Sequence, residues 1–219
     1  MSYRKEPLVS GQYYHIFNRS IAGYKIFNSN FDYQRILEGL MYYKSPIPSL
    51  RFSRYLELSD KNRLEILSQQ VNLLIDIVAF CIMPTHFHLL LKQNTDNGIT
   101  QYLFNLQNSY SHYFNIRNKR RGPLWESKFR NIRVKSDEQL LHLTRYIHLN
   151  PSSAGLANNP EDWQWSSLNE YVNGKENICQ YKDIINISPQ DYGSFVLDRK
   201  DYQKELSKIK ALLIEHYTG

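Results

Sequence analysis

Cysteine is nearly absent, with only Cys81 and Cys179 in 219 residues. Two thiols, one of them inside an apolar run, exclude a disulfide framework and a cysteine-built zinc site. So sparse a use of cysteine points to a reducing, cytoplasmic setting. Long hydrophobic runs are also missing. The longest, Leu73 to Met83, is broken by Asp76 and falls far short of the ~20 residues that cross a bilayer, so no membrane partner is expected. Met1 to Pro7 is charged and has no apolar core of the kind a secretion signal carries. The chain contains no internal repeat and no low-complexity tract. Acid is the scarcer charge: 21 Asp and Glu stand against 27 Lys and Arg, a net charge of +6 and a pI of about 9.1. That balance favours polyanionic partners.

What is present is an ordinary soluble composition, 42% hydrophobic and 22% charged. The length suits one large domain, or a domain with an appendage, and can bury a core without staples. Tyrosine is abundant at 17 residues, and such amphipathic rings serve core edges and stacking surfaces equally well.

The chain is organised around Ala79 to Lys92, AFCIMPTHFHLLLK. Side chains alternate along a strand, so His86, His88 and Leu90 share one face while Phe87, Leu89 and Leu91 take the other. Met83-Pro84-Thr85 reads as a tight turn, because proline fixes φ and lacks a ladder donor. Two neighbouring imidazoles just past a hairpin turn fit a metal site, a catalytic pair or packed core residues.

Upstream, Gly11 to Asn18 reads as a first strand; His15 in it fits a role aligned near the site, but reads first as a structural histidine. Phe31 to Lys44 has helical spacing, with Asn30 or Asp32 to cap it. The prolines of Ser45 to Ser49 open an insertion reaching Gln70, inside which Ser59 to Gln69 reads as a short helix. Val71 to Ile82 is the strand that pairs with the histidine strand. After Asp96-Asn97-Gly98, Ile99, Leu103, Leu106, Tyr110 and Tyr113 mark a long core-facing helix.

From Arg117 to Lys135 the composition changes. Arg117, Lys119, Arg120, Arg121, Lys128, Arg130, Arg133 and Lys135 stand against one acid, Glu126, with Trp125 and Phe129 interleaved. Cations neutralise phosphates and aromatic faces stack on unpaired bases; the plain alternative is a solvated loop and edge strand whose tryptophan packs inward. Ser136 to Gln139 then reads as a capping box, opening a helix that Pro151 ends. On it Tyr146 and Asn150 are four residues apart and project from one face. Beyond a turn at 152–155, two tryptophans, Trp163 and Trp165, pack an extension onto the first domain, and residues 175–219 read as two or three helices, the last from Tyr202 to Tyr217.

Six blocks in order, Pro84 to Leu91, Tyr113-Phe114-Asn115, Leu124 to Phe129, Tyr146 to Pro151, Ala154-Gly155-Leu156 and Trp163 to Ser167, resemble the single-tyrosine HUH transposases of the IS200-like superfamily. Within that group the REP-associated tyrosine transposases are the best match, over roughly Gln12 to Tyr171. The resemblance implies an α+β fold with a ferredoxin-like or RRM-like antiparallel sheet, helices packed on it and a helical C-terminal extension. Residues 1–155 would be the catalytic domain, with the insertion at about 45–70, and residues 156–219 the extension. It also implies His86 and His88 as metal ligands and Tyr146 as nucleophile. Asn150 stands where insertion-sequence relatives supply a glutamine as third ligand, and is one methylene shorter.

On that basis the expected cofactor is a divalent cation, Mg²⁺ or Mn²⁺, although ligand softness alone also admits Zn²⁺. The expected reaction is cleavage and rejoining of single-stranded DNA next to hairpins through a 5′-phosphotyrosine, with the basic stretch gripping the hairpin or its flank, in a monomer or homodimer. A coordinated water, His148 or His142 could take the phenol proton. Three other readings are a non-catalytic single-stranded DNA or RNA binder, a His-x-His hydrolase, and a domesticated transposase with a host role. The absence of acids beside His86 and Tyr146 weighs against the hydrolase.

Overall fold

Four strands make one antiparallel sheet: β1 (Tyr13–Arg19), β2 (Ile75–Met83), β3 (His86–Gln93) and β4 (Arg130–Arg133), in the order β2-β3-β1-β4. The computed structural model describes residues 7–47 and 49–199, so the expected helix from Tyr202 to Tyr217 lies outside the described residues. β2 and β3 form the expected hairpin, turning at Pro84-Thr85. The turn is tied down by backbone bonds from Ser20 N to Thr85 O (2.8 Å) and Ile26 N to Pro84 O (2.8 Å).

Nearly every residue of β2 and β3 is buried, because helices cover both faces; that is why these strands read as continuous apolar runs rather than alternating ones. On one face lies α4 (Gly98–Arg117) with α1 (Asn30–Tyr42) against it, and on the other α5 (Asp137–Ser153) packs over β2 and β3. The insertion carries two short helices, α2 (Phe52–Leu56), which the sequence did not suggest, and α3 (Asp60–Ser68). After α5 come α6 (Leu168–Val172) and α7 (Pro189–Leu197), stacked on each other and, through α7, on α5.

The two edges of the sheet are treated differently. The outer edge of β2 is covered by the chain that follows α5: Ile82 N bonds Trp165 O (2.9 Å), Ser167 N bonds Phe80 O (3.0 Å), and Gln180 N bonds Ile77 O (2.8 Å). Trp165, Tyr171, Cys179 and Tyr192 belong to the same core cluster as the sheet. The other edge, β4, alternates exposed and half-buried residues. Among the described residues no further strand pairs with β4, and charged side chains along such an edge discourage unwanted strand pairing.

Four local expectations are corrected. Ser29, not Asn30 or Asp32, caps α1: its side chain accepts from Asp32 N while the Asp32 carboxylate accepts from Ser29 N (2.9 Å), closing a capping box. The second strand begins at Ile75 rather than Val71, since Asn72 has a left-handed φ of 53° that ends the extended run. The insertion holds two helices rather than one. Pro151 lies inside α5, which runs on to Ser153. Proline there removes the amide that Ile147 O would accept; Asn150 Nδ2 lies 3.5 Å from that carbonyl and donates to Tyr146 O at 2.8 Å. The Pro151 ring itself is buried, and that burial favours continuing the helix.

Candidate active site

Strand pairing brings the histidines together. Phe17 sits opposite His88, Arg19 opposite His86, and His15 opposite Leu90; directly opposed residues share a face, so His15, Phe17, Arg19, His86 and His88 all project to the side on which α5 lies. His15 and His88 are diagonal neighbours. Their rings stack with centroids 5.2 Å apart, and His15 Nε2 meets His88 Nδ1 at 3.0 Å. The His86 ring stands edge-on to His88 at 5.1 Å, and its Nδ1 meets Thr85 Oγ1 at 2.9 Å. The imidazoles of His15 and His88 are buried, and His86 is half-buried at the rim.

α5 brings the phenol. Its N-terminus is fixed by Ser136, whose side chain accepts from Gln139 N (3.1 Å), and by Gln139 Oε1, which accepts from Lys135 N (2.8 Å). Asp137 and Glu138 add favourable charge in the first turn. Leu140, Thr144, Ile147 and His148 form the stripe that packs inward. Tyr146 and Asn150, on the flank of that stripe, are half-buried. The Tyr146 ring stands edge-on to both buried imidazoles, 5.8 Å from His88 and 5.9 Å from His15.

The electrostatics follow from burial and from Arg19. Burial, reinforced by the Arg19 charge, pulls the His86 pKa down to about 4, so its ring is neutral at pH 7, the form that can ligate a metal. Burial raises the Tyr146 phenol above its ordinary range, and a hydrogen bond from the Asn150 side chain acts in the opposite direction. Arg19 forks onto Glu126, with Nη2 to Oε1 at 3.1 Å, and holds that carboxyl below the usual range.

The donor set suits a divalent cation. With Nδ1 of His86 and of His88 engaged by Thr85 and His15, ligation by either ring would go through Nε2, the arrangement in which outer partners fix the tautomer of a ligating histidine. Asn150 uses its amide nitrogen on the helix backbone, which turns the amide oxygen to the role of acceptor or ligand. Among the described residues no group of three or more His, Cys, Asp or Glu gathers as a metal cage; the donors expected for a cation are the His86 and His88 imidazoles and the Asn150 amide oxygen.

The other expected residues separate into two groups. The Arg117 guanidinium lies 5.4 Å over Phe31 and donates to Tyr113 Oη (3.0 Å). Arg120 clamps its own loop, donating to Asn115 Oδ1 (2.9 Å) and Pro123 O (2.6 Å). Trp125 packs inward against Phe87 (5.4 Å) and donates to Gln107 O (3.3 Å). Lys119, Arg121, Lys128 and Arg130 are exposed, and Arg133 donates to Gln12 Oε1 (2.8 Å). His148 is fully buried between Tyr192 Oη and Ser167 Oγ, both at 2.7 Å; burial drops its pKa to about 3, and it belongs to the packing of α5. His142 is exposed beside Arg145 and Phe195.

With this geometry in place, comparison with known proteins is informative. A family model described as "Transposase IS200 like" matches residues 54–150, a stretch that includes His86, His88, Tyr146 and Asn150. Over that stretch the chain is similar to the IS200-like transposases. A Haemophilus influenzae protein bearing the name REP-associated tyrosine transposase is 28% identical over 128 residues, 54% of this chain and 66% of that protein. This chain therefore spans just under two thirds of that relative's length. A solved REP-associated tyrosine transposase bound to a REP hairpin shares the fold, with a TM-score of 0.57 over 86% of this chain and 96% of that one at 16% identity.

Sequence reasoning says least about the residues that β1 brings to this face. His15 reads there as structural in preference to a role near the site, and Phe17 and Arg19 carry no signal of their own. Alternation along β1 does put the three on one face, but no local signal says which strand they pair with or in what register. β1 also lies outside the stretch that the family model matches.

Proposed function

We propose that this chain is a metal-dependent enzyme that cleaves and rejoins single-stranded DNA beside hairpins, with Tyr146 as nucleophile. One observation carries the reading: the Tyr146 ring stands within 6 Å of the His88 and His15 rings, 5.8 Å and 5.9 Å between centroids, on the face that holds the His-x-His pair. A phosphate entering there meets a phenol on one side and imidazole nitrogens on the other. The hairpin held by a relative of the same fold supports a hairpin-bearing substrate.

An ordinary phenol is ionised only about one part in a thousand at pH 7, and burial makes Tyr146 weaker still, so the nucleophile needs help. When bound between His86, His88 and Asn150, what Mg²⁺ or Mn²⁺ supplies is orientation of a non-bridging phosphate oxygen and neutralisation of transition-state charge. The chain's own residues do the rest. Thr85 and His15 hold the two ligating rings, and the Asn150 side chain acts against the rise that burial gives the phenol pKa. Tyr146 Oη loses its proton and forms a bond to phosphorus as the bond to the 3′-oxygen breaks; that oxygen takes up one proton, so the products are a 5′-phosphotyrosine and a 3′-hydroxyl. Because the phosphodiester energy is kept in that linkage, attack by a second 3′-hydroxyl reverses the step and joins strands.

The test is a covalent adduct. Purified protein with Mn²⁺ and labelled hairpin-bearing oligonucleotides is expected to give a slow-migrating band under denaturing conditions that Tyr146→Phe abolishes. An adduct undiminished in that variant removes Tyr146 from the role. Binding without any adduct, across hairpins and metals, replaces the enzyme by a single-stranded nucleic-acid binder.

A further inference from the structure

The half of the histidine face that α5 does not roof is built from β1 and β4. Phe17 sits opposite Arg130 of β4 as well as opposite His88, and His15 sits opposite Ile132, so Phe17, Arg130 and Ile132 share the face of the imidazoles. Two of these are apolar, and neither belongs to the hydrophobic core cluster. The Phe17 ring is half-buried and lies against His15 (5.1 Å) and His88 (6.0 Å). Ile132 is 52% exposed. An aromatic ring resting on catalytic imidazoles, continued outward by an exposed β-branched side chain and an exposed arginine, is an apolar platform with a cationic rim.

We propose that Phe17, with Ile132 and Arg130, seats one unpaired nucleobase of the DNA strand next to the phosphate held at the histidines. The proposal rests on the reading of Tyr146 and the histidines given above, and adds to it where the neighbouring nucleotide lies. The chemistry selects this occupant. A base offers a flat π-face that stacks on a phenyl ring regardless of sequence, and its own backbone offers a phosphate to a cation. The Phe17 ring is a direct neighbour of the His88 ring, 6.0 Å between centroids, so a base seated on it belongs to the strand whose phosphate is held at the histidines. Charge agrees. Glu126, the single acid between Arg117 and Lys135, is paired with Arg19, and Lys128 and Arg130 are exposed beside the platform. A duplex could not use the platform, since its bases are already stacked.

The experiment uses the full chain carrying Tyr146→Phe, so that DNA stays intact. The probe is an oligonucleotide hairpin with unpaired flanks carrying 2-aminopurine at one flank position at a time. One position is expected to show fluorescence quenching on binding that Phe17→Leu removes and Phe17→Trp retains. An abasic site at that position is expected to weaken binding about 5- to 10-fold, with little further loss when Phe17→Leu is added. Ile132→Ala and Arg130→Ala, both at exposed positions, provide variants that do not disturb packing. Arg130→Ala should lower the salt dependence of binding by about one phosphate contact.

If Phe17→Leu and Ile132→Ala leave the fluorescence profile and affinity unchanged while the hairpin still binds, the platform is wrong and the nucleophile assignment stands. If the phenylalanine variant does not fold, an unaltered profile in Ile132→Ala and Arg130→Ala has the same force. If no hairpin binds at all, the DNA reading falls and the platform with it.

Discussion

Two kinds of buried imidazole occur in this molecule. His148 has no exposed surface and both ring nitrogens are engaged by protein, Ser167 and Tyr192, at 2.7 Å. His88 is 7% exposed, its neighbour His86 is half-buried, and each has Nδ1 held while a phenol stands beside the pair. The first ring serves packing, and the others are the rings we propose as metal ligands. Burial alone does not separate the two kinds; what differs is that protein hydroxyls hold both nitrogens of His148, whereas His86 and His88 lie next to one another, with the Tyr146 phenol beside His88.

The comparison can be broken or sharpened by substitution. The largest expected effect is that of His86→Ala with His88→Ala: adduct formation should fall roughly a thousand-fold, the loss of several kcal/mol of transition-state stabilisation, with the thermal midpoint nearly unchanged. Collapse of the fold instead would make the pair structural. His148→Leu should do the reverse, lowering unfolding free energy by about 2–3 kcal/mol because buried hydroxyls lose a partner, while the folded fraction measured in urea titrations still forms adduct. Next in size, His15→Phe should weaken Mn²⁺ binding about ten-fold by releasing the His88 ring, with partial recovery in His15→Gln; calorimetry in the absence of DNA reads this directly. Smallest, Lys128→Ala should weaken hairpin binding two- to three-fold at moderate salt and reduce its salt slope by about one, whereas Arg120→Ala, whose guanidinium is engaged by its own loop, should leave that slope as it is.

The pair Arg120 and Lys128 shows where composition stops being informative. Both belong to one basic stretch, and sequence assigns them the same role. Arg117, Arg120 and Trp125 are engaged within the fold by Phe31, Tyr113, Asn115, Pro123 and Gln107, partners as much as 86 positions away by number in the chain in the case of Phe31. Local elements were far more legible. The hairpin at Pro84-Thr85, the helix from Gly98 and the i, i+4 relation of Tyr146 and Asn150 follow from proline chemistry and helical period. Where Pro151 misled, the reason lies in a side chain: Asn150 donates to the carbonyls near the gap that proline leaves.

Alternation and spacing by themselves determined that His86 shares a face with His88 and that Tyr146 and Asn150 project together from one helix, because the periods of strand and helix are set by backbone geometry. Only the tertiary structure decided that these two faces meet, that His15 of a distant strand holds His88, and that, among the described residues, β2 has its outer edge covered while β4 does not. Strand order and register arise from competition among burial choices across the whole chain, and no short stretch of residues contains that information.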